Sequence, residues 1–400
     1  MAMDNMQAGA YAGLRVVDFS QGIAGPYCAQ ILRQNGAEVT KVEPPEGDWG
    51  RRIGYGPDGM SAIAIANNLG KRSIAVDGTR PEGRALMRRL CEGADVVIES
   101  FRPGVMDRMG LSWASLSAAN PALVYVSVTA FGGDGPDAAR PGSDSTLQAV
   151  SGMMVANRDE SGTPRKIGIL VVDVATGVYA AQATGAALYR RATTGRGEHV
   201  EVSLLQSAAA VQGNSIVDAV LGGGRPARPY SVPAGTFETA DGYINVTTLH
   251  DRMFAGLCRA VGHEEWLADP RFATADARFG HAADVYAALR AVLLGGTSSH
   301  WQQALGREGV VCGIVSDYPA FLADPHVRET GVFQSVRQGG AVFPVPRVPG
   351  TDAPPLPAPA TGEHTVDVLR AAGLSESEIA ALQASGAVGV RDRASAGAAG

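Results

Sequence analysis

LRVVDFSQGIAGPYCAQILRQNGAEVTKVE, residues 14–43, decides the fold. Its opening run, Leu14 to Phe19, is apolar and β-branched and reads as a strand. Ser20, Gln21 and Gly22 interrupt it, and a helical pattern runs from Pro26 to Asn35. Ala37 to Glu43 is a second strand. Strand, turn, helix and strand in that order form the βαβ unit from which parallel sheets are built.

The rhythm recurs outward from this unit. Lys71 to Asp77 reads as a strand, Pro81 to Cys91 as a helix with proline in its first turn, and Ala94 to Glu99 as a strand. Short helices at Val105 to Gly110 and Ser112 to Asn120 precede a strand at Leu123 to Thr129. A long helix rich in small residues, about Val174 to Arg191, stops at Thr194-Gly195-Arg196-Gly197, and His199 to Ser203 is again a strand. These alternations predict an α/β fold with a doubly wound, Rossmann-like parallel sheet, whose ligands bind at the carboxyl ends of the strands. The loop Ala130 to Asp144, rich in Gly, Pro and Asp, follows a strand and suits a site loop.

The chain's 400 residues exceed one core. The first large domain is expected over residues 1–220, and a smaller α+β domain with its linkers over 221–340, after the Gly/Pro/Arg stretch GGGRPARPYSVPAG. Residues 341–392 read as a Pro-rich return segment and a helix, Ser375 to Ser385, that rejoins the large domain, and 393–400 as a flexible tail.

Composition narrows the function classes. With 45% hydrophobic and 18% charged residues the chain is an ordinary globular one, and 51 Gly imply many tight turns. A formal net charge of -6 offers no general attraction to nucleic acid or to an anionic membrane. The four cysteines are too scattered for a structural metal or a disulfide frame, and the N-terminus lacks the basic and apolar regions of a signal peptide. The expected setting is reducing and cytoplasmic, with no metal.

Three constellations could carry chemistry. Asp173 ends the apolar run IGILVVDVATG. By pattern alone a plain N-cap is the leading reading; the alternative is a partly desolvated, nucleophilic carboxylate. The turn Gln21-Gly22-Ile23-Ala24-Gly25 lacks a G-x-G-x-x-G fingerprint, and it is either a common βα turn or a place where backbone amides meet a ligand oxygen. The cations Arg51, Arg52, Lys71, Arg72, Arg102, Arg108 and Arg140 sit in loops or strand ends, with Lys71, Arg72, Arg102 and Arg108 read as near strand carboxyl ends, where an acidic chain would gather charge for an anionic ligand, and Phe101 stands ready either for the core or for ring stacking. No G-x-S-x-G occurs, and none of the seven histidines lies in a hydrolase or zinc motif. His199 falls at a strand's polar phase, and His364, in GEHT, reads as a helix cap.

Nine phrases in order then resemble the class III CoA-transferase family, which includes formyl-CoA transferase and the carnitine CoA-transferases. They are GLRVVDFSQGIAGPYCAQ, KVEPPEGD, NNLGKRSIAVD, ESFRPGVMDRMGLSW, VTAFGGDGP, RPGSDSTLQAVSG, VVDVATG, TTGRGEHVEVSLL and GEHT. The resemblance implies an interlocked, ring-in-ring homodimer of Rossmann-like large domains, with acyl-CoA and a carboxylic acid as substrates. It implies that Asp173 is the nucleophile, which displaces the N-cap preference, with Gln21 and Asp144 beside it. Coenzyme A contacts would fall on Gly22, Ile23, Ala24, Gly25, Lys71, Arg72, Phe101, Arg102 and Arg108, and less securely on Arg140.

The implied chemistry runs through a mixed anhydride and an aspartyl-CoA thioester, with oxyanion donors expected from the Gln21 to Gly25 turn or from Gly222 to Gly224. An acceptor pocket is expected around Tyr230 to Phe237, with succinyl-CoA as donor and a small dicarboxylate or hydroxy acid as acceptor. Two rivals remain. The α-methylacyl-CoA racemases use a His in a Gly-His-Asp phrase, where this chain has Gly142-Ser143-Asp144, and a serine cannot be that base at neutral pH. The other rival is a coenzyme A binder without turnover.

Overall fold

The computed structural model describes residues 9–57, 60–159, 161–225 and 230–389. The expected tail at 393–400 lies outside them. β1 (Arg15–Asp18), α1 (Ala24–Gln34) and β2 (Glu38–Glu43) form the opening unit, and α2 (Ala62–Ala66) leads to β3 (Arg72–Val76). Then follow α3 (Pro81–Glu92), β4 (Val96–Glu99), α4 (Val105–Arg108), α5 (Trp113–Ala119) and β5 (Val124–Thr129). After α6 (Asp144–Val150) and α7 (Met153–Ala156) come the long α8 (Val171–Thr194) and β6 (His199–Ser203).

The fold is mixed α/β, with a mostly parallel central sheet. Its order is β3-β2-β1-β4-β5-β6, all parallel, with a two-residue strand, Val388–Gly389, antiparallel on the β3 edge. Successive side chains enter opposite layers, as strand geometry requires. Val16 joins Cys28, Leu32 and Ala180 under α1 and α8, whereas Val17 joins Ile74, Leu86 and Leu369 on the other face. Because both faces are covered, a central strand such as Val96-Val97-Ile98 is apolar throughout and 0% exposed.

This topology decides where a crevice opens. β1 lies between β2 and β4, so the chain leaves the carboxyl ends of β1 and β4 in opposite directions, and the two loops part there. α8 closes the crevice because its small residues let it approach α1: a Cβ on Gly177 would lie 2.8 Å from the Ala24 carbonyl oxygen. Gly177 is one turn beyond Asp173, so this close packing brings Asp173 up to the turn after β1.

Contacts divide the chain into two units, one built from residues before Val217 and after Thr330, the other from Val217–Thr330. The second holds an antiparallel sheet of β7 (Ala234–Thr239), β8 (Gly242–Thr247) and β9 (Val311–Ile314), with a core around Phe237, Ile244, Phe254 and Leu257. The expected boundary at 340/341 is corrected. It would cut a hairpin, β10 (Phe333–Gln338) and β11 (Ala341–Pro346), whose Val336 and Val345 pack with Met60, Ile65 and Leu69 of the first unit.

The Pro-rich segment beyond β11 is tied back by polar bonds. Arg51 donates to the Pro359 carbonyl at 2.9 Å, and the Gly362 N–H donates to Ser73 Oγ at 2.9 Å. The last helix, Glu376–Ala384, opens with a capping box between Ser375 and Glu378.

Candidate active site

At the carboxyl ends of β1, β4 and β5 lies a cleft of about 370 Å³. It brings together Gln21, Phe101, Arg102, Arg140, Ser143 and Asp173, which are spread over 150 residues of sequence. Ile23, Ala24 and Gly25 complete the wall beneath Gln21.

Asp173 stands in the first turn of α8, but it is not the cap. The N-cap is Leu170, with no side-chain cap bond. Asp144 supplies that function from outside: its Oδ2 accepts the N–H groups of Val172 at 2.8 Å and Asp173 at 3.2 Å, while Oδ1 accepts from Gln148 at 2.6 Å. Asp144 is only 2% exposed and sits behind the cleft wall. Two amides of the first turn of α8 are thus already engaged by another carboxylate. Burial, and then the negative charge of Asp144, push the Asp173 carboxyl up to about 7. Near neutrality it is divided between acid and anion, and the anion is poorly solvated and basic for a carboxylate, as a nucleophile needs.

The turn after β1 is more selective than its sequence suggests. The Gln21 N–H donates to Ser100 Oγ at 2.9 Å, and the Gly22 N–H donates to both oxygens of Asp48 at 3.0 and 3.1 Å. Neither amide is free for an oxyanion, which corrects the expectation for that half of the turn. Ala24 and Gly25 open α1, where no preceding turn offers an acceptor, and both line the cleft. Gly22 has φ +78°, and a Cβ there would stand 2.2 Å from the Trp49 ring, so only glycine fits. Gly222 to Gly224 are not among the residues of this cleft.

The cations separate into two groups. Arg102 follows β4 on the cleft wall, and Arg140 faces the same space, its guanidinium 4.9 Å from the Phe131 ring centroid and 3.0 Å from Asp137. Arg108 ends α4, is exposed, and lies outside the lining.

Lys71 and Arg72 are corrected. They stand at the start of β3, its amino end, whereas the sequence reading placed them near a carboxyl end. Lys71 is 2% exposed, and its three N–H groups are engaged by Asp18 (2.8 Å), the Pro26 carbonyl (2.9 Å) and Asn68 (2.9 Å). Burial pushes its ammonium down to about 8. Arg72 lines a different depression with Arg15 and Arg89, at the amino ends of the strands.

Ser143 caps α6, its Oγ accepting from the Thr146 N–H at 3.4 Å, and the residue lines the cleft. Sequence reasoning missed Asp48, Trp49 and Ser100, which hold the turn. The phrase KVEPPEGD contained one of them, Asp48, but nothing in it announces that this last acid would reach back to Gly22.

A family model described as CoA-transferase family III matches residues 11–365. The chain is 35% identical over 377 residues to a succinate–glutarate CoA-transferase of Agrobacterium fabrum, covering 90% of this chain and 94% of that one. It is 34% identical over 385 residues to a probable fatty acyl-CoA transferase of Mycobacterium tuberculosis, covering 89% and 96%. Among solved structures, a CAIB/BAIF family protein from Brucella suis superposes with a TM-score of 0.82 at 34% identity, over 92% of this chain and all of the other.

Proposed function

This chain belongs to CoA-transferase family III, and from that premise we propose that it moves coenzyme A from an acyl-CoA to a carboxylic acid with Asp173 as the nucleophile. The observation that carries this reading is the half-buried Asp173 carboxyl, raised to about 7, in one cleft with Arg102, Arg140 and the amides that open α1.

Asp173, as the anion, attacks the thioester carbonyl. The C–S bond breaks, leaving a mixed anhydride and coenzyme A thiolate. The thiolate attacks the aspartyl carbonyl, the donor acid departs, and an aspartyl-CoA thioester remains. An acceptor carboxylate reverses both steps, so no atom or proton is left over. Ala24 and Gly25 N–H groups are the donors we assign to the tetrahedral oxyanions, with the Gln21 side chain beside them. Arg102 and Arg140 meet the phosphates of coenzyme A, and Phe101 its adenine. Asp144 acts through Asp173, holding the helix end and keeping the carboxyl basic.

Succinyl-CoA with a small dicarboxylate is the proposed substrate pair, supported by the name of the Agrobacterium relative. An interlocked homodimer of these chains is proposed with it, supported by the family and by the exposed apolar residues Val174, Val178 and Tyr179 along α8.

The test is chemical trapping. Incubation with succinyl-CoA followed by hydroxylamine or borohydride, then peptide mass spectrometry, is expected to mark Asp173. Asp173→Ala and Asp173→Asn are expected to abolish transfer while the fold persists. Near-normal transfer by the alanine variant, or solvent deuterium entering the α-carbon in place of transfer, sinks the reading.

A further inference from the structure

Behind the Gln21 to Gly25 turn lies a cluster of ionisable groups that the chemistry above leaves unused. Asp18, Lys41, Glu43, Asp48, Arg51 and Lys71 are each at most 8% exposed, three acids against three bases. Buried ion pairs give little stability that apolar side chains could not give as well. Their bonds, however, converge on one object. Lys41 Nζ donates to the Ser20 carbonyl at 2.8 Å and lies 3.0 Å from Asp48 Oδ2. Asp18 accepts the Ser20 N–H at 3.0 Å, and Lys71 holds the Pro26 carbonyl at 2.9 Å. Asp48 accepts the N–H groups of Gly22 and, at 2.9 Å, of Gly50, which seats Trp49 against the bare face of Gly22.

Ser20, Gly22 and Pro26 are therefore gripped from behind, while Gln21, Ile23, Ala24 and Gly25 between them face the cleft. We propose that Asp48, anchored by Lys41, is the positioning residue of this turn: it fixes Gly22 so that Gln21 and the amides of Ala24 and Gly25 are aimed at the carbonyl that Asp173 attacks. This rests on the function proposed above. Asp48 itself touches no reacting atom.

Single-turnover acylation by succinyl-CoA, followed as the mass of the Asp173 adduct, tests it. Asp48→Ala releases Gly22 and is expected to lower the maximal acylation rate on the order of a hundredfold, the cost of misplacing a catalytic group by about 1 Å. The half-saturating succinyl-CoA concentration, set by Arg102 and Arg140, is expected to stay near that of the wild type. Asp48→Asn keeps an oxygen for the Gly22 N–H and is expected to recover most of the rate, a pattern that a purely stabilising role would not produce. Since Asp48→Ala strands the Lys41 charge, the double variant Lys41→Met/Asp48→Ala removes both charges and is expected to be equally slow.

A folded Asp48→Ala or double variant that acylates at the wild-type rate overturns the inference. So does an Asp48→Asn variant as slow as Asp48→Ala. A wild-type protein that never modifies Asp173 overturns the functional reading and this inference with it, whereas a reacting wild type confines any failure to Asp48.

Discussion

Replacing Asp173 by Asn removes the proposed nucleophile, and it is expected to make the protein more stable by an amount that grows with pH. The carboxyl stands at about 7 in the folded chain against an ordinary 3.8. Below 3.8 both folded and unfolded chains carry the proton, and the wild type bears no penalty. Between 3.8 and about 7 the unfolded chain is ionised while the folded chain retains its proton, so wild-type stability falls as pH rises. Above about 7 the loss is complete and flat.

At about 1.4 kcal/mol per pH unit, the full span gives a ceiling of roughly 4 kcal/mol. Asp173 opens onto the cleft, and solvent screening brings the expected gain nearer 2 kcal/mol. An amide has almost the carboxyl's shape and no proton to lose. Parallel denaturant unfolding of wild type and Asp173→Asn at about pH 4, 5.5, 7 and 8.5 reads the difference directly, with equal slopes as the control for unchanged compactness. The gap should open between the first and third points and then level. A gap that is constant with pH, or one that narrows as pH rises, refutes the reasoning, because the buried carboxyl would then be no more basic than an ordinary one.

Two further outcomes follow from the same geometry. Asp144→Asn removes one of the two causes that raise Asp173, so the midpoint of acylation rate against pH should fall below that of the wild type; a midpoint that stays or rises contradicts the electrostatic coupling. Lys71→Ala strands the buried Asp18 carboxylate and should cost about 3–5 kcal/mol in denaturant unfolding, with little change in half-saturating acyl-CoA; a stable variant with greatly weakened acyl-CoA binding would restore Lys71 to the ligand site.

The strands were legible because burial on both faces writes itself into sequence as a continuous apolar run, as in Val96-Val97-Ile98. The turns were legible from their glycines. What the sequence does not carry is which end of a strand a residue occupies in space. Lys71 and Arg72 share the basic character of Arg102, yet they begin a strand while Arg102 follows one, and only the second position faces the crevice. Long-range hydrogen bonding is equally hidden. Asp144 caps α8 from 28 residues away, and Asp48 reaches back 26 residues to Gly22. Neither acid differs, as a letter in a loop, from one that simply faces water. The hairpin Phe333–Pro346 was divided because its prolines suggested an extended crossing, but Pro344 and Pro346 fit an outer strand, where fewer donors are needed.

Arg51 bonds the Pro359 carbonyl across 308 residues, while its guanidinium also holds Glu43, whose neighbour Asp48 grips the turn after β1. On the ribosome, at about 5–20 residues per second, that partner emerges roughly 15 to 60 s after the arginine. β1, β2 and their helix can pair long before then, but the backing of the turn is finished only when Pro359 arrives. Until that carbonyl is made, the nascent chain lacks this tie behind the cleft.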